Sequence, residues 1–516
     1  MPRKFASRRA LPQLITASLP APVGGWNARD SLGDMEATDA VIMDNVWPLT
    51  TSVMLRKGYS QRATGLGSQV ETLLAYNTPS GTQRLFGAAG TSIFDCTAGG
   101  AVGAAVVTSL SNARWQYVNM STSGGNFILA VNGADKLLGY NGTAVWHDGD
   151  GTHDITGLDT STCIHINLHK NRVWFIVNNS LKAWYLGTNS IAGAANPFDL
   201  SSVAQMGGYL MAMGTWTIDA GYGVDDLAVF VTSVGEIIVY RGTDVSSSST
   251  WALVGVWRLG APLGRRCLMK YAGDLLVISQ DGILPLASAL QSSRLNPKVA
   301  LTDKIQQVYS DSAGTYKANY GWQTIYYPGA NMLLFNVPVS TGASQQQYAM
   351  NTISKAWARF KGLSANCFEL FQDNLYFGGD GFVGKAWNTY ADSGSTIAAD
   401  VQQAYNYFGS KGQTKRWTMI RPTLLANSAP IIYATLNVDF NSAPPLQQLS
   451  YAATNYGLWG SSSWGTALWG SSLPLNAWQD CNSIGYAGAY RMQVTSSNAD
   501  LKWITTDFVM EKGGIL

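Results

Sequence analysis

Short apolar runs separated by glycine-rich or polar turns recur through the middle of the chain, and they predict a succession of β-hairpins. Each pair of runs has the pattern of two strands joined by a short Gly, Asn or Asp turn. The paired runs occupy residues 84–90 and 92–95, 126–133 and 136–140, 172–177 and 182–187, 226–231 and 235–242, 274–278 and 281–286, and 374–379 and 384–387. A further strand pair is expected around residues 332–336 and 347–360.

The spacing of these hairpins indicates the architecture. Successive hairpins lie roughly 40 to 60 residues apart, close to the repeat length of a four-stranded propeller blade. Because one hairpin supplies only two strands, the rest of each repeat must supply the other two. The pattern therefore favours an irregular β-propeller of six or seven blades over residues 63–400. A tandem of β-sandwiches is the alternative.

The repeat stops around residues 395–415, and a different β domain follows. Alternating strands are predicted at residues 417–421, 431–438, 490–494 and 501–509. Residues 401–516 therefore form a separate domain with the pattern of a β-sandwich. Helix is scarce. The strongest helical signal covers residues 301–309, where Thr302 and Asp303 are candidate caps.

Composition narrows the class of protein. Charged residues make up 13% of the 516 residues and hydrophobic residues 46%, whereas about a quarter of an average globular chain is charged. A disordered chain is excluded, because disorder goes with high charge and few aromatics. The low charge leaves two interpretations open, a neutral β-rich or glycosylated surface and a surface buried in an oligomer. The net charge of +2 provides no global attraction for nucleic acid.

The cysteines and histidines give no sign of a disulfide framework or a metal site. The cysteines form no CxxC pair and are odd in number. They are therefore expected to be buried thiols in a reducing compartment. They are Cys96, Cys163, Cys267, Cys367 and Cys481. The acidic loop at 146–154 holds His147 and His153 but lacks the calcium-loop spacing. His165 and His169 fall on a predicted strand, which separates them by about 13 Å.

Sequence motifs of catalysis are absent. The chain has no GxSxG, no P-loop and no GxGxxG leading into a helix. We therefore expect no enzymatic activity, no cofactor and no metal. No apolar run of about 18 residues predicts a transmembrane helix, and the N-terminal segment is too interrupted for a signal peptide. The chain is expected to fold in the cytoplasm.

Three local basic clusters are candidates for phosphate contact, with ordinary surface solubility as the alternative. In a symmetric oligomer, one basic residue becomes a ring of them. DNA passing through such a ring would be contacted without sequence reading. The candidates for a DNA channel are Arg265, Arg266, Lys270, Lys415 and Arg416.

Aromatic residues supply candidates for assembly contacts. Three Trp-Gly units recur at every fifth residue in residues 458–470, a spacing that cannot keep all three indoles on one face of a strand. Exposed indoles are costly in water, so this segment is expected to pack on its own domain or on a neighbouring subunit; sugar stacking is the alternative. The interface candidates are Arg3, Lys4, Arg8, Arg9, Trp26, Trp459, Trp464 and Trp469.

Several stretches together resemble one known family. They read GGWNARDSL at 24–32, TDAVIMDN at 38–45, LRKGY at 55–59, QVETLLAY at 69–76, LFGAAG at 85–90, KRWTMIRP at 415–422, and LKW at 501–503 followed by EKGG at 511–514. Taken together, these stretches resemble the tail nozzle proteins of short-tailed phages, which are also called tail-tube or packaged-DNA stabilisation proteins. The resemblance spans the chain from end to end.

The resemblance implies a homohexameric ring with a central pore, built from a β-propeller and a β platform domain. The turn, capping and alternating apolar residues of the first segment themselves indicate an extended N-terminal arm over residues 1–62. The resemblance also implies a place below the head-to-tail adaptor of the virion tail, with tail fibre, spike or plug proteins attached. The ring would retain packaged double-stranded DNA and conduct it during ejection, after assembly in the host cytoplasm. The alternative is a propeller-type tail protein that binds or depolymerises polysaccharide.

Overall fold

The computed structural model of the chain describes residues 14–219, 224–247, 249–289, 297–340, 345–428, 430–450 and 473–515. This part of the chain is nearly all β-structure and divides into two compact units. The sandwich unit comprises Met1–Gly58, Ile353–Phe360 and Thr389–Leu516, and the propeller unit comprises Tyr59–Thr352 and Lys361–Asn388.

The chain begins with strands of the sandwich unit. These are β1 (Leu14–Pro20), β2 (Gly25–Trp26), β3 (Asp39–Asp44), β4 (Val46–Pro48) and β5 (Val53–Leu55).

The propeller unit contains most of the remaining strands. In chain order they are β6 (Gly58–Asn77), β7 (Gln83–Ala89), β8 (Ser92–Asp95), β9 (Gly100–Ala101), β10 (Gln116–Thr122), β11 (Gly125–Val131), β12 (Leu138–Tyr140), β13 (Val145–His147), β14 (Ile155–Thr156), β15 (Cys163–His169), β16 (Arg172–Val177), β17 (Lys182–Tyr185), β18 (Gly193–Ala194), β19 (Asn196–Asp199), β20 (Leu210–Asp219), β21 (Val224–Thr232), β22 (Glu236–Gly242), β23 (Trp251–Arg258), β24 (Leu268–Tyr271), β25 (Asp274–Ser279), β26 (Gly282–Pro285), β27 (Gln323–Tyr327), β28 (Met332–Pro338), β29 (Gln345–Asn351), β30 (Trp357–Lys361), which lies almost wholly in the sandwich unit, β31 (Cys367–Phe371), β32 (Asn374–Gly378) and β33 (Asp380–Thr389).

Helix is confined to short segments in the described residues. The α-helices are α1 (Leu286–Ala289) and α2 (Gln306–Tyr316), and the 3₁₀ turns are Thr160–Thr162, Pro297–Val299, Asp303–Ile305 and Pro328–Ala330. The helix predicted at residues 301–309 is shifted along the chain, since Asp303–Ile305 form a 3₁₀ turn and the α-helix itself runs over Gln306–Tyr316. Thr302 does not cap it, because its hydroxyl accepts a hydrogen bond from the Ile283 amide (3.3 Å). No helix in the described ranges is long and apolar enough to cross a bilayer.

Within the described part of the propeller unit, seven antiparallel groups of strands follow one another as blades. They are β6–β7–β8, β10–β11–β12–β13, β15–β16–β17–β19, β20–β21–β22–β23, β24–β25–β26, β27–β28–β29 and β31–β32–β33. Every hairpin predicted from the sequence is found, as the second and third strands of a blade. The fold is a β-propeller, and the upper of the two predicted blade numbers is the one observed.

The long strand β6 closes the propeller. Its later part pairs with β7, from Val70 opposite Ala89 to Asn77 opposite Gln83, and β6 is also the neighbour of β33 in the last blade. The Val70 amide donates to the Gly379 carbonyl (2.9 Å). Gly378 permits this close approach, since a Cβ there would lie 2.2 Å from the Val70 carbonyl oxygen. One strand thus belongs to both the first and the last blade.

Packing between adjacent blades explains why the apolar runs are continuous and not alternating. A strand inside a propeller is covered on both faces by its neighbouring blades, so both faces favour apolar side chains. Between the third and fourth blades, the indole of Trp174 lies 5.6 Å from the ring of Phe230 and 5.9 Å from that of Trp251. The apolar core of this unit is therefore distributed between the blades.

The sandwich unit ends with the strands β34 (Ile397–Gln403), β35 (Gln413–Ala426), β36 (Ile431–Val438), β37 (Gln447–Gln448), β38 (Leu473–Leu475), β39 (Gln479–Gly485), β40 (Gly488–Ser496) and β41 (Leu501–Ile515). One sheet has the order β38–β35–β41–β5–β4, with β1 beside β41 and β39 beside β35. The other contains β30–β3–β34–β40–β36–β37, with β2 beside β3. Trp503 and Leu55 of the first sheet and Val401 and Met492 of the second line the same small void. This confirms the predicted sandwich.

The predicted N-terminal arm is not a separate part of the structure. Strand β1 pairs with β41 from Leu14 opposite Glu511 to Pro20 opposite Thr505, and β3 pairs with β34. The described residues before Tyr59 therefore supply strands to the sandwich unit. The propeller unit ends at Asn388, before the predicted boundary at residue 400, because β34 pairs with strands of the sandwich. The predicted domain boundaries need this correction.

Candidate functional site

Two neighbouring cavities lie where the first strands of the blades converge. The smaller, which we call the axial cavity, has a volume of about 180 Å³. The first strands of six blades contribute to its lining, through Thr72, Gln116, His165, Leu268, Gln323 and Phe368. The larger, which we call the arginine cavity, has a volume of about 590 Å³. Its lining includes residues just before β10, β24 and β27, so it lies at the end where these strands begin.

Arg266 lines both cavities and ties blades together. Its guanidinium donates to the Glu71 carbonyl (3.1 Å), the Thr72 hydroxyl (2.8 Å) and the Trp115 carbonyl (3.3 Å). It also donates to Oε1 of Gln323 (3.4 Å). These acceptors belong to the first, second and sixth blades, and Arg266 itself leads into the fifth. Arg266 therefore acts as a structural cross-link at the centre of the propeller.

The arginine cavity is strongly cationic. Arg114, Arg265, Arg266 and Lys317 line it, and Glu71 is the carboxylate among its described lining residues. The Glu71 carboxylate accepts a hydrogen bond from Nε of Arg114 (3.1 Å). The described lining thus has four cations and one carboxylate, and that carboxylate is already engaged.

The aromatic ring of Tyr320 is contacted by the guanidiniums of two of these arginines. The guanidinium carbon of Arg114 lies 4.7 Å from the ring centroid, and that of Arg266 lies 5.3 Å from it. The Tyr320 hydroxyl donates to the Glu71 carbonyl (3.1 Å). Cation–π contacts of this kind favour a fixed ring position. Both arginines are thereby held against one side chain of the segment that leads into β27.

Arg265 is held more loosely than Arg266. Its guanidinium donates to the Asn132 carbonyl (3.3 Å) and, in the part of the chain described here, has no carboxylate within ion-pair distance. Burial lowers the pKa of the Arg265 guanidinium, and the neighbouring Tyr320 and Tyr209 offset this only in part. The positive charge of Arg265 therefore lacks a carboxylate to balance it in the described protein.

The axial cavity holds a carboxyl group in an unusual state. Burial raises the pKa of Glu369 to about 7, although a hydrogen bond with Tyr117 opposes the shift. Burial also lowers the pKa of His165 to about 4, which keeps its imidazole neutral. Nε2 of Gln116 and the Thr324 hydroxyl are buried without a hydrogen-bond partner. The axial cavity is therefore polar and lined by uncompensated hydrogen-bonding groups.

We predict that Glu369 makes stability depend on pH between about 4.5 and 7. Its folded pKa of about 7 lies above the usual 4.5, so the folded state binds the extra proton in this window. The associated stability is present below pH 4.5 and is lost as the pH rises to 7. Replacing Glu369 by Gln should stabilise the protein more at pH 8 than at pH 5, as measured by urea unfolding. An equal effect at both pH values would contradict the prediction.

The sequence-predicted DNA-channel residues do not converge on one site. Arg265 and Arg266 meet at the arginine cavity, whereas Lys270 is exposed on β24 and lines neither cavity. Arg416 belongs to the sandwich unit, is 51% exposed and donates to Oδ1 of Asn482 (3.0 Å).

Lys415 has a structural role. It is fully buried, and its ammonium donates to three carbonyl oxygens, those of Ser410 (2.6 Å), Gln413 (2.9 Å) and Tyr486 (2.9 Å). Because all three ammonium hydrogens have acceptors, none is left for a phosphate. Lys415 must be removed from the DNA-contact candidates.

The interface candidates also need one correction. Trp26 is only 5% exposed, and the Arg359 guanidinium lies 5.0 Å from its ring within the sandwich unit. It is therefore a core residue of its own unit and not free for an assembly contact. The other candidates, Arg3, Lys4, Arg8, Arg9, Trp459, Trp464 and Trp469, lie outside the described residues.

The cysteines and His153 of the acidic loop pack within the propeller and sandwich units. Cys96, Cys163, Cys267 and Cys367 are buried free thiols as predicted, and Cys481 is partly buried. In the loop, His153 stacks on Trp146 with ring centroids 4.1 Å apart. No three His, Cys, Asp or Glu side chains gather into a possible metal site in the ranges described.

Sequence analysis missed Arg114, Lys317, Tyr320 and Glu369. Arg114 precedes β10, Lys317 and Tyr320 precede β27, and Glu369 lies on β31, so no local motif joins them. A repeat alignment that placed the residues before each first strand in one column could have grouped Arg114, Arg265 and Tyr320.

Comparisons with known proteins give matches at the level of the fold. No protein-family model matches the chain, and no curated protein is a significant match. The β-propeller domain of Cps50 (Swd1) from Myceliophteria thermophila is 12% identical with a TM-score of 0.39, covering 62% of this chain and 97% of that one. A structure of BBS1N in complex with ARL6DN is 15% identical with a TM-score of 0.29, covering 42% of this chain. The match spans 64% of the BBS1N chain, less than two thirds of its length.

Glycoside hydrolases are also among the structures that match. An exo-β-1,3-galactanase from Phanerochaete chrysosporium is 7% identical with a TM-score of 0.24, and the match covers 76% of this chain and 95% of that one. At such low sequence identities the likeness is one of fold alone, because proteins of one fold can have many different functions.

Proposed function

We propose that this chain is a structural subunit of the ring-shaped nozzle of a short phage tail. The observation that carries the proposal is the distribution of exposed apolar side chains. Nine of the thirteen large exposed apolar side chains among the described residues belong to the sandwich unit. They are Leu14, Ile353, Ile431, Tyr433, Phe440, Leu446, Trp478, Ile484 and Ile504.

The degree of exposure supports an assembly surface. Leu446 is 89% exposed, Ile484 64% and Leu14 63%. Ile431 and Tyr433 are two residues apart on β36, and so they point to the same outward face of the sheet. Single exposed apolar residues are ordinary, but their concentration in one unit is typical of a surface that is covered by a partner.

In this proposal the partner is first of all another copy of the chain. Head-to-tail contacts between identical subunits close into a ring when the rotation permits, and the low charge of the chain suits such contacts. The ring is a homohexamer below the head-to-tail adaptor of the virion, assembled in the host cytoplasm. It carries tail fibre, spike or plug proteins, retains packaged double-stranded DNA and conducts it during ejection.

Contact with duplex DNA is assigned to exposed cations. The arginine cavity of about 590 Å³ has the size of a small-molecule site. Arg265 and Arg266 line this cavity, so we do not assign them to a DNA channel. Lys270 and Arg416 are exposed and are the remaining described candidates for contact without sequence reading.

The proposal predicts that one charged substitution in the sandwich unit weakens ring formation. Replacing Ile484 by Asp should raise the dissociation constant of the assembly at least about tenfold, because a carboxylate would be buried at an apolar contact. Mass photometry and negative-stain microscopy of the purified full chain measure the change. Replacing Val254, 48% exposed in the propeller unit, by Asp is the matched control.

Two outcomes would contradict the proposal. One is a wild-type chain that stays monomeric at micromolar concentration both alone and with the adaptor. The other is equal assembly of the Ile484 and Val254 variants together with a chain that is missing from purified tails.

A polysaccharide-binding or depolymerising propeller is the second candidate. The raised pKa of Glu369 favours it, since a carboxyl group that titrates near neutrality suits a general acid. Against it, glycoside hydrolysis uses a pair of carboxyl groups, and each cavity is lined by one described carboxylate, Glu71 or Glu369. Release of reducing ends from capsular glycan, abolished in a Glu369→Gln variant, would support this function over the nozzle.

A further inference from the structure

The charges that line the arginine cavity do not balance. Four cationic side chains face one carboxylate, and the Glu71 carboxylate is held by Arg114 at 3.1 Å. Within the described residues, neither Arg265 nor Lys317 has an ion-pair partner. A partly buried cation without a counter-charge is unfavourable, and an incoming anion would offset that cost.

The cavity also offers unused hydrogen-bond donors. A guanidinium has five N–H donors in a fixed fork. Arg265 donates to one carbonyl oxygen, that of Asn132 at 3.3 Å, so most of its donors have no acceptor in the described protein. Lys317 is exposed at the rim and adds an ammonium. A planar guanidinium fork matches the paired oxygens of phosphate and carboxylate groups.

The wall beside Arg265 is kept open by a glycine. Gly133 has a φ of +79°, and a Cβ there would lie 3.2 Å from Nη1 of Arg265 and 3.0 Å from Cγ2 of Ile164. Any other residue at this position would be strained and would crowd the guanidinium. The local backbone therefore leaves Arg265 accessible from the cavity.

We propose that the arginine cavity binds a small oxyanion-bearing ligand with two or more negative charges, held chiefly by Arg265 with Arg114 and Lys317. Its volume of about 590 Å³ lies within the range of small-molecule sites. The cavity recognises the charged oxygens of the ligand. The ring of Tyr320 is not available to stack on a ligand, because the guanidiniums of Arg114 and Arg266 already contact it.

This site belongs to the propeller unit alone and does not depend on ring formation. Phosphate and carboxylate share the oxyanion chemistry, so the probes are inorganic phosphate, pyrophosphate and citrate. Isothermal titration of each into the full-length chain, at constant ionic strength set with NaCl, measures binding. We expect saturable binding of at least one divalent or higher-valent probe, with pyrophosphate or phosphate favoured if the natural ligand is a phosphate and citrate if it is a carboxylate.

The variant Arg265→Gln should weaken binding of that probe at least tenfold. Arg265→Lys should give an intermediate affinity, because it keeps the charge and loses the fork. The control Lys270→Gln removes a nearby cation that does not line the cavity, and its affinity should equal that of the wild type. Melting temperatures of all variants check folding.

The proposal is overturned if none of the three probes binds the wild-type chain saturably. It is equally overturned if Lys270→Gln loses as much affinity as Arg265→Gln, since binding would then follow net charge and not the cavity.

Discussion

Replacing Arg266 by Ala is expected to destabilise the propeller unit by about 3 kcal/mol. The guanidinium donates to acceptors in three other blades, among them the Glu71 and Trp115 carbonyls. A hydrogen bond from a charged donor contributes about 1.5–3 kcal/mol, and a buried acceptor left without a donor costs about 1–3 kcal/mol. Water in the polar axial cavity would satisfy much of what the four lost hydrogen bonds leave behind, which keeps the expected loss well below their sum.

The neighbouring arginine provides the control. Arg265→Ala removes one hydrogen bond, to the Asn132 carbonyl, and should cost no more than about 1 kcal/mol. Urea unfolding followed by tryptophan fluorescence compares the two variants, since fully buried Trp115 lies beside the site. Arg266→Lys should fall between wild type and Arg266→Ala, because an ammonium lacks the planar fork.

Equal stability of the Arg266→Ala and Arg265→Ala variants would show that Arg266 is not a cross-link. The result also bears on tests of DNA passage. Reversing the charges of Arg265 and Arg266 together would combine a folding defect with any effect on DNA. Substitutions at Lys270 or Arg416 avoid that ambiguity.

In the sandwich unit, replacing Arg56 by Leu is expected to cost about 3–5 kcal/mol. The Arg56 side chain is fully buried, and its guanidinium donates to both carboxylate oxygens of Asp392 (2.8 and 2.6 Å). It also donates to Oδ1 of Asn45 (2.8 Å). The substitution leaves the Asp392 carboxylate, which is 12% exposed, without its counter-charge. Urea unfolding measures the loss.

Two further variants test the cause. Arg29→Leu breaks an ion pair of similar geometry with Asp30 (2.8 Å), whose side chains are 46% and 34% exposed, and should cost no more than about 1 kcal/mol. The double variant Arg56→Leu with Asp392→Leu should recover part of the stability, since no buried charge is then left alone. A double variant no more stable than Arg56→Leu would mean that lost packing, and not the unpaired carboxylate, explains the effect.

The hairpins of the propeller were predictable because their information is local. Runs such as residues 126–133 and 172–177 consist of strand-forming apolar residues, and their turns hold Gly, Asn or Asp. The strands of the sandwich, such as β36 (Ile431–Val438), were found for the same reason. The first strands of the blades were harder to find, because they carry polar residues such as Gln116 and Gln323 into the axial cavity.

The exposure and role of single residues were predicted less well than the positions of strands. Lys415 and Trp26 look exposed in the sequence because lysine is rarely buried and Trp26 lies among polar residues. In the structure, three carbonyl oxygens surround the Lys415 ammonium, and Arg359 covers the Trp26 ring. Ser410 and Gln413 are close to Lys415 in sequence, but Tyr486 is 71 residues away and Arg359 is remote from Trp26, so no local pattern could reveal the complete environment of either residue.

The sequence by itself determined the all-β class, the hairpin repeat, the separate C-terminal β domain and the presence of a helix that overlaps the start of α2, because each depends on the spacing of neighbouring residues. Only the tertiary structure decided that residues 14–58 belong to the sandwich unit and that β6 joins the first and last blades. It alone gathered Arg114, Arg265, Arg266 and Lys317 around one cavity. The physical reason is closure: a propeller brings the starts of its first strands together from positions about 200 residues apart, and that proximity leaves no trace in local sequence.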